Sequence, residues 1–342
     1  MVGRPCFWSV LLLFCVFFPA GAHSQLAEAD TRPKTPVHRV FASAPPVGLM
    51  VYALDRSSLV AVNMPARNGS NNGTPRFLNS QFLALPVIGG WHGNRQPNLE
   101  EILLLNPELI VLWDTPLLSD VAEKALARMN RRVFRLNIDG MGHYASAFRR
   151  LGQALDREER GEQLARYIEK ELTELETFVA TIPMKKRVKV YYAEDENGLR
   201  SDCDQSFHAD VLSYAGGDNV LKCRQSTVMG MQRINFEQLL KVSPEIIVAQ
   251  EGAFKQTIAK DSKWRLLPAV REQRVIFVPK TPFNWIDRPP SFMRVLGAHW
   301  LARSFYPGLY PYDLKRKTKD FFSMFFQVEL SDEELIAYFP FL

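Results

Sequence analysis

The side chains best suited to chemistry lie in turn-rich loops that follow apolar β-branched runs. Trp91 and Trp285 occupy such loops in opposite halves of the chain, and Trp113 ends one of the runs. Indole rings can stack on the apolar face of a ligand, and the Arg288 guanidinium can clamp a carboxylate or catecholate rim through two hydrogen bonds. Alternatively, each indole could pack a local core, and Arg288 could pair with Asp287. These residue types predict a binding site with aromatic walls and a cationic clamp.

Two further polar residues, Arg200 and His92, lie in loops of the same kind. Arg200 offers a second guanidinium, although Glu194 or Asp202 could pair with it instead. His92 could complete the coordination of an incompletely chelated metal or donate a hydrogen bond from the rim. The chain has 6 histidines, and a site for bare zinc or manganese ions would need several clustered His and carboxylate ligands. We therefore expect no metal held by protein ligands alone.

The motifs of the common enzyme classes are missing from the sequence. It contains no Walker loop, dinucleotide glycine fingerprint, nucleophile elbow or pair of histidines on one helical face. Asp114 and His92 could form an acid–base pair, but no third residue completes a catalytic set. We therefore expect a binding protein, with an enzyme that acts on the bound molecule as the alternative from a different class.

A helix–proline–strand unit occurs twice, over Asn98–Leu112 and Asn235–Ala249. In each copy a short helix with apolar spacing precedes a proline and then a β-branched run typical of a buried strand. Strands that alternate with helices predict an α/β fold with mostly parallel sheets. The duplication predicts two similar lobes, and a cleft between lobes is a favoured place for a small molecule.

In parallel α/β sheets, ligands bind beyond the carboxyl ends of the strands. This rule selects seven loops as candidates for the cleft. They are Ser43–Pro46, Gly90–Asn94 and Trp113–Thr115 in the first lobe, and Glu194–Ser206, Thr227–Gln232, Gln250–Phe254 and Pro282–Arg288 in the second.

The middle of the chain predicts a helical connection over 143–182. A helix over 157–181 would extend about 37 Å, at about 1.5 Å per residue, and Asp156 with Glu159 resembles a capping box at its start. One face of this helix is apolar, with Leu164, Ile168, Leu172, Leu175 and Val179. We expect the N-terminal lobe over 37–142 and the C-terminal lobe over 183–342.

The first 22 residues have the pattern of a secretory signal peptide. Arg4 supplies a positive charge, residues 7–18 are apolar, and Ala20-Gly21-Ala22 is a small-residue cleavage site. The apolar run is too short to span a bilayer comfortably. We expect a cleaved signal over 1–22, a flexible lead-in over 23–36 and a protein exported to the periplasm.

Cleavage would remove Cys6 and Cys15 and leave Cys203 and Cys223. An isolated cysteine pair in an oxidising compartment is most simply a disulfide, and a loop of about 20 residues would contribute roughly 3 kcal/mol by the chain-entropy estimate. A two-thiolate metal site is the alternative, with poor ligand spacing.

Composition limits the classes of partner. Of 342 residues, 46% are hydrophobic and 23% are charged, and the formal net charge is +5. No block of like charges or basic–aromatic stripe occurs, so we expect no nucleic-acid partner. We expect a monomer.

Five motifs in order carry a resemblance to one family. They are the two repeat copies, Phe207–Val220, Trp285–Ser291 and Gln327–Leu335. Together they are similar to the periplasmic substrate-binding proteins of ABC importers for iron–siderophores, haem and cobalamin. The resemblance covers almost all of the mature chain. It implies two Rossmann-like lobes joined by one long α-helix, with a ligand cleft between them.

The resemblance also implies a function. The protein would capture a metal chelate, with an Fe(III)–siderophore as the first expectation and no permanently bound cofactor. Asn284 and Arg288 match positions near the ligand in relatives, whereas Met231 stands where cobalamin binders have an aromatic residue. A nickel or cobalt chelate is therefore the second expectation and cobalamin the third, and an enzyme acting on a metal chelate remains the rival class.

Delivery to an inner-membrane ABC permease follows from the same resemblance. Glu100 and Glu237 match acids that in relatives engage basic residues of the permease. Alternatively, each acid could simply favour the positive N-terminus of its own helix.

Overall fold

The computed structural model describes residues 36–65, 74–92, 95–115, 119–227 and 229–342. The expected signal peptide over 1–22, with Cys6 and Cys15, lies outside the described residues, as does the lead-in up to residue 35. Within the described part, no helix combines the length and apolar character needed to cross a membrane.

The first sheet is parallel and has the order β1-β2-β3. Its strands are β1 (Val40–Ala42), β2 (Leu109–Trp113) and β3 (Arg132–Leu136). All five residues of the central strand β2 are buried, as expected for a strand covered on both faces. The apolar run from Leu59 to Val62 forms only isolated parallel bridges, from Leu59 to Val40 and from Val62 to Val87.

The second sheet is also parallel and has the order β6-β4-β8-β9. A separate antiparallel pair joins β5 to β7. The bounds are β4 Lys189–Ala193, β5 Arg200–Ser201, β6 Asp218–Asn219, β7 Gln232–Arg233, β8 Ile246–Ala249 and β9 Val275–Phe277. No strand among the described residues is shared by the two larger sheets.

Fourteen α-helices within the described ranges cover and connect the sheets. They are α1 Pro45–Asp55, α2 Thr74–Phe77, α3 Ser80–Leu83, α4 Leu99–Leu105, α5 Ser119–Ala127, α6 Tyr144–Leu155, α7 Glu158–Ala180, α8 Asp210–Tyr214, α9 Phe236–Val242, α10 Phe254–Lys260, α11 Pro268–Arg271, α12 Met293–Phe305, α13 Leu314–Phe326 and α14 Asp332–Tyr338. Short 3-10 helices cover Met141–His143, Met184–Lys186 and Ser262–Leu266.

The two copies of the repeated unit fold alike. Asn98 begins α4 and Asn235 begins α9, and each side chain accepts hydrogen bonds from first-turn backbone amides. Asn106 and Ser243 end these helices in the left-handed conformation, with φ of 46° and 44°. The following strands, β2 and β8, each lie between two neighbours in their own sheet.

The acid after each repeated proline attaches its copy to the start of a neighbouring strand, just before β1 in the first sheet and at the first residue of β4 in the second. The Glu108 amide donates to the Arg39 carbonyl at 2.8 Å, and the Glu245 amide donates to the Lys189 carbonyl at 2.8 Å. Glu108 Oε2 also accepts from the His38 amide at 2.7 Å, and Glu245 Oε2 accepts from the Lys189 amide at 2.8 Å. The sequence repeat is therefore also a repeat of tertiary contacts.

The long helix α7 has 23 residues, which is about 34 Å at 1.5 Å per residue. It packs against α6 and α12. Its start differs from the expected capping box, because Asp156 ends α6 with a φ of 58° and Arg157 precedes α7 without a side-chain cap. Gly161 lies so close to the preceding helix that an added Cβ would be 2.7 Å from the Phe148 carbonyl oxygen, so the tight α6–α7 packing determines this junction.

The expected disulfide is present. Cys203 and Cys223 are joined with an S–S distance of 2.05 Å. The bridge attaches the loop after β5 to the segment after β6.

Candidate functional site

A cavity of about 370 Å³ lies between loops of the two lobes, a size at the lower end of small-molecule pockets. The first lobe contributes a mostly apolar wall, made of Pro45, Gly48, Leu49, Leu59, Ala61, Val62, Asn63, Met64, Pro65 and Phe82. The second lobe contributes a wall with polar and charged groups, made of Gln250, Glu251, Lys280, Pro282, Phe283, Asn284, Arg288 and Pro289. The cavity therefore offers an apolar face on one side and hydrogen-bonding groups on the other.

The carboxyl ends of the strands position this cavity. Pro45 follows β1, Gln250 follows β8 and Lys280 follows β9. The backbone turns away from the sheet at these points, so that the side chains of both lobes meet there. Three of the loops selected from the sequence, Ser43–Pro46, Gln250–Phe254 and Pro282–Arg288, contribute lining residues.

Arg288 is the most buried cation of the cavity wall, with 18% of its side chain exposed. Its Nε and Nη2 donate to Glu194 Oε1 at 3.0 and 2.5 Å, and Nη2 donates to Asp202 Oδ2 at 2.6 Å. Asp287 Oδ2 lies 3.2 Å from Nε. Nη1 has no hydrogen-bond partner among the described residues, so this nitrogen remains for a ligand. The backbone of Arg288 is left-handed, with φ of 64°, a strained conformation of the kind found at ligand sites.

The three acids around Arg288 are buried, with exposed side-chain fractions of 0% for Glu194, 1% for Asp202 and 0% for Asp287. Burial raises the pKa of Glu194 well above its usual range, although Arg288 opposes the shift. Burial would also raise the pKa of Asp287, but His208 and Arg288 outweigh it and hold that pKa below its usual value. Burial therefore favours the protonated form of Glu194, whereas His208 and Arg288 favour the ionised form of Asp287.

The remaining polar groups of the wall are held by the second lobe. Asn284 Oδ1 accepts from the Ile286 and Asp287 amides at 2.8 and 3.0 Å, and its Nδ2 has no hydrogen-bond partner among the described residues. Lys280 Nζ lies 3.0 Å from Glu251 Oε2 in a half-exposed pair. These contacts fix the orientation of the groups before any ligand arrives.

The comparisons with known proteins agree with this architecture. The sequence matches the periplasmic binding protein family over residues 84–282, which is more than half of the 342 residues. The chain belongs to this family. A solved ABC transporter solute binding protein from Sulfurospirillum deleyianum DSM 6946 is 48% identical, with a TM-score of 0.86 over 90% of this chain and 95% of that chain.

More distant proteins are also similar to this chain. The high-affinity heme uptake system protein IsdE of Staphylococcus aureus is 21% identical over 253 residues, which is 71% of this chain and 81% of that protein. CeuE of Helicobacter pylori, solved as a Ni-His complex, is 15% identical, with a TM-score of 0.68 over 90% of this chain and 95% of that chain. The predicted α/β fold with two Rossmann-like lobes and a cleft is confirmed. This ABC solute-binding protein belongs to a family of transport-associated binding proteins, which bind a small molecule outside the cytoplasm and deliver it to a permease.

Of the residues proposed from the sequence, Asn284 and Arg288 line the cavity of this solute-binding protein. Trp285 follows Asn284 but lies in the core. It is 0% exposed, its ring centroid is 5.5 Å from that of Phe339 and 5.4 Å from that of Phe341, and its Nε1 donates to the Thr281 carbonyl at 2.9 Å. The expected role of Trp285 as a wall is therefore corrected, because the C-terminal aromatic residues cover the indole.

Trp91 is also a core residue, with 2% exposure and packing against Phe41. This corrects the expectation that it forms an open aromatic wall. The neighbouring His92 is half-buried, and burial together with nearby Arg95 lowers its pKa. His92 Nδ1 is buried without a hydrogen-bond partner in the described part of the chain.

Trp113 joins the two lobes. Its Nε1 donates to Asp139 Oδ1 at 2.8 Å, and its ring meets the second-lobe Phe207 edge to face, with centroids 5.7 Å apart. Only 4% of Trp113 is exposed. The indole thus lies at the interface between the lobes rather than on the cavity described above.

Arg200 and Met231 lie in loops near the three acids around Arg288, but they do not line this cavity. Arg200 is 41% exposed and its nearest acid is Asp195, with Nε 3.9 Å from Oδ2, rather than Glu194 or Asp202. The Met231 amide donates to Asp202 Oδ1 at 3.3 Å.

Glu100 and Glu237 occupy equivalent positions in the first turns of α4 and α9. Both are exposed, and neither carboxylate has a hydrogen bond or ion pair among the described residues. Their equivalence follows from the repeat.

Sequence reasoning missed Glu194 and Asp202 as partners of Arg288, and it missed the apolar wall of the first lobe. The sequence could have predicted Glu194 as a site residue, because it directly follows β4 at the carboxyl end of the sheet. The wall gave no comparable signal, since its aliphatic residues look like ordinary core in the sequence.

Two clusters have the composition of metal sites within the described ranges. They are Glu171, Glu174 and His299, and Asp202, His208 and Asp287. A basic group already faces each of them, because Lys317 Nζ lies 2.6 Å from Glu171 Oε2 and Arg288 contacts both acids of the second cluster. Burial alone would raise the pKa of Glu171, but His299 and Lys317 lower it to about 2. Both clusters are explained as buried ion pairs.

Proposed function

We propose that this solute-binding protein captures a metal chelate, an Fe(III)–siderophore before a nickel or cobalt chelate, and delivers it to an inner-membrane ABC permease. One observation carries the proposal, namely the cavity with an apolar wall from one lobe and a polar wall from the other. A metal chelate has the matching chemistry, since its organic groups form apolar faces and its ligating oxygen or nitrogen atoms form a polar rim.

The apolar wall suits the organic part of such a ligand. Leu49, Leu59 and Phe82 are less than a tenth exposed, and Met64 is half-buried at the cavity. Covering the part of this wall that is still exposed would remove apolar area from water, which favours binding by about 25 cal/mol for each Å² buried.

The polar wall suits the rim of the ligand. Asn284 Nδ2 and Arg288 Nη1 are donors without partners in the described part of the chain, and Lys280 adds a half-exposed ammonium. A few fixed donors beside apolar walls are the usual source of orientation and specificity in small-molecule sites. His92, Trp113, Arg200 and Met231 remain predicted rim residues for a large chelate that extends beyond this cavity.

Permease docking through Glu100 and Glu237 is part of the same proposal. Two exposed carboxylates without partners, one at the tip of each lobe's repeated helix, would be free to meet basic residues of a permease. This supports docking over a purely local role at the helix N-terminus, where a screened surface charge adds only about 0.3–1 kcal/mol.

The test begins with native mass spectrometry of the protein purified from the periplasm of its own cells, which measures the mass and metal of any bound chelate. Saturable quenching of tryptophan fluorescence by that chelate, with the chelate recovered unchanged, would support capture. Turnover of the chelate would support the rival enzyme instead.

A matched pair of variants tests the cavity itself. Met64→Gln places a polar group on the apolar wall, and we expect several-fold weaker chelate binding. Met184→Gln is the control, because Met184 is 71% exposed and outside the cavity. Equal affinity of the two variants would refute the cavity as the chelate site.

A further inference from the structure

We infer that the cavity selects a neutral or cationic metal chelate over an anionic one. This inference rests on the proposed function, since it specifies the charge of the chelate that the cavity binds. It depends on how the charges of the polar wall are already balanced.

The guanidinium that faces the cavity is compensated from within the second lobe. Arg288 makes its three hydrogen bonds to Glu194 and Asp202, and Asp287 lies 3.2 Å from its Nε. All three acids are at most 1% exposed, so little water screens them from the cation they surround. An anionic ligand would meet a guanidinium whose positive charge is already offset.

The second cation of the wall is also paired. Lys280 Nζ lies 3.0 Å from Glu251 Oε2, and both residues line the cavity. Arg200 does not line it, and its nearest acid is 3.9 Å away. No unpaired cationic side chain therefore lines the cavity among the described residues.

The formal charges of the wall and of the acids behind it sum to zero or less, whether or not Glu194 and His208 are charged. Two cations, Arg288 and Lys280, face three carboxylates, Asp202, Asp287 and Glu251, before Glu194 is counted. His208 Nδ1 lies 2.8 Å from Asp287 Oδ2, and a positive His208 would raise the sum only to zero. Ionisation of Glu194 would make the sum more negative.

Movement of Arg288 toward an anion would not change this balance. Such a movement would leave the buried Asp202 and Asp287 without their cation, and unpaired buried charges are strongly unfavourable. The apolar wall would at the same time remove water from the anion without supplying a partner. A neutral chelate needs no such compensation, and a cationic chelate is attracted by the surplus of acids.

The test compares chelates of one metal that differ in charge. The probes are a cationic Fe(III)–trihydroxamate with a pendant ammonium group, a neutral cyclic Fe(III)–trihydroxamate and an anionic Fe(III)–tris-catecholate, titrated by tryptophan fluorescence at low and high salt. We expect the neutral or cationic complex to bind at least about tenfold more tightly than the anionic one, a difference of about 1.4 kcal/mol. We expect the preference for the cationic complex to shrink as salt screens the charges.

A variant that removes one negative charge from the cavity wall tests whether charge sets this preference. Glu251→Gln removes one acid and leaves Lys280 unpaired, so we expect the affinity for the tris-catecholate to rise several-fold. Glu272→Gln is the matched control, because Glu272 is exposed and outside the cavity, and we expect it to change no affinity.

The outcomes separate the inference from the proposed function. Equal or tighter binding of the anionic complex would overturn the charge inference and leave capture of a chelate intact. If neither these complexes nor the neutral and anionic nickel complexes of histidine and citrate bind, the proposed function fails and the inference falls with it.

Discussion

Replacing Arg288 with methionine would remove the cation that three buried acids share. The volume of the side chain is roughly kept, so the main effect is electrostatic. Asp202 Oδ2 lies 2.6 Å from Nη2 and Asp287 Oδ2 lies 3.2 Å from Nε, and both acids are at most 1% exposed. Breaking a buried pair by removing one partner costs about 3–5 kcal/mol. We expect Arg288→Met to lower the free energy of unfolding by that amount at pH 7.

The destabilisation caused by Arg288→Met should become smaller as the pH falls. The pKa of Asp287 is lowered in the folded protein, so its contribution to stability is present above the unfolded pKa of about 3.9 and is lost as pH falls through the folded pKa. In the variant, Arg288 no longer helps His208 to oppose the effect of burial on Asp287, so the pKa of Asp287 should rise and this acid should take up a proton at higher pH than in the wild type. The difference between wild type and variant should therefore shrink on going from pH 7 to below about 4.

Urea unfolding monitored by circular dichroism at several pH values measures the free energy of unfolding of the wild type and the variant. Arg233→Met is the control, since Arg233 is exposed on β7, and we expect it to change stability by less than about 0.5 kcal/mol. The double variant Arg288→Met/Asp202→Asn should recover part of the loss because one unpaired charge is gone. A loss below about 1 kcal/mol at pH 7, or a loss that grows toward acid pH, would refute the assignment of Arg288 as the shared counter-ion.

Three further predictions follow from other parts of the molecule. Trp285→Ala should lower stability by about 3–5 kcal/mol because it empties a core site, and a specific loss of chelate affinity without destabilisation would contradict the burial of that ring. Glu171 has its pKa lowered to about 2, so its contribution is present above its unfolded pKa of about 4.3 and is lost as pH falls toward 2. Glu171→Gln should make the free energy of unfolding less dependent on pH between about 4 and 2. An unchanged pH dependence would count against the pairing of Glu171 with His299 and Lys317. Glu100→Ala with Glu237→Ala should reduce uptake by cells while the chelate affinity measured in solution stays the same, and a drop in affinity would refute the docking role.

Much of the fold could be predicted because its signals are local. The β-branched runs of the repeated unit identified β2 and β8, and the 3.6-residue spacing placed the long helix within one residue at each end. The repeated Asn and Pro predicted matching helix starts and strand starts in both lobes. The cysteine pair could be assigned because only two cysteines remain once the signal peptide is removed.

The site was predictable only in part. The rule of the carboxyl ends selected the loops of Pro45, Gln250 and Arg288 correctly. It could not tell which side chains of a loop face the cavity and which face the core. Asn284 and Trp285 are neighbours, yet the first lines the cavity and the second is covered by Phe339 and Phe341.

The sequence by itself determined where the repeated helices and strands and the long helix form and that two similar units are present, because these depend on spacing along the chain. Tertiary structure alone decided the charge state of the site. Glu194, Asp202 and Asp287 come from separate segments and meet around Arg288 only after folding. Burial and distance set the pKa of a group and the partner of an ion pair, and both arise only when distant segments pack together.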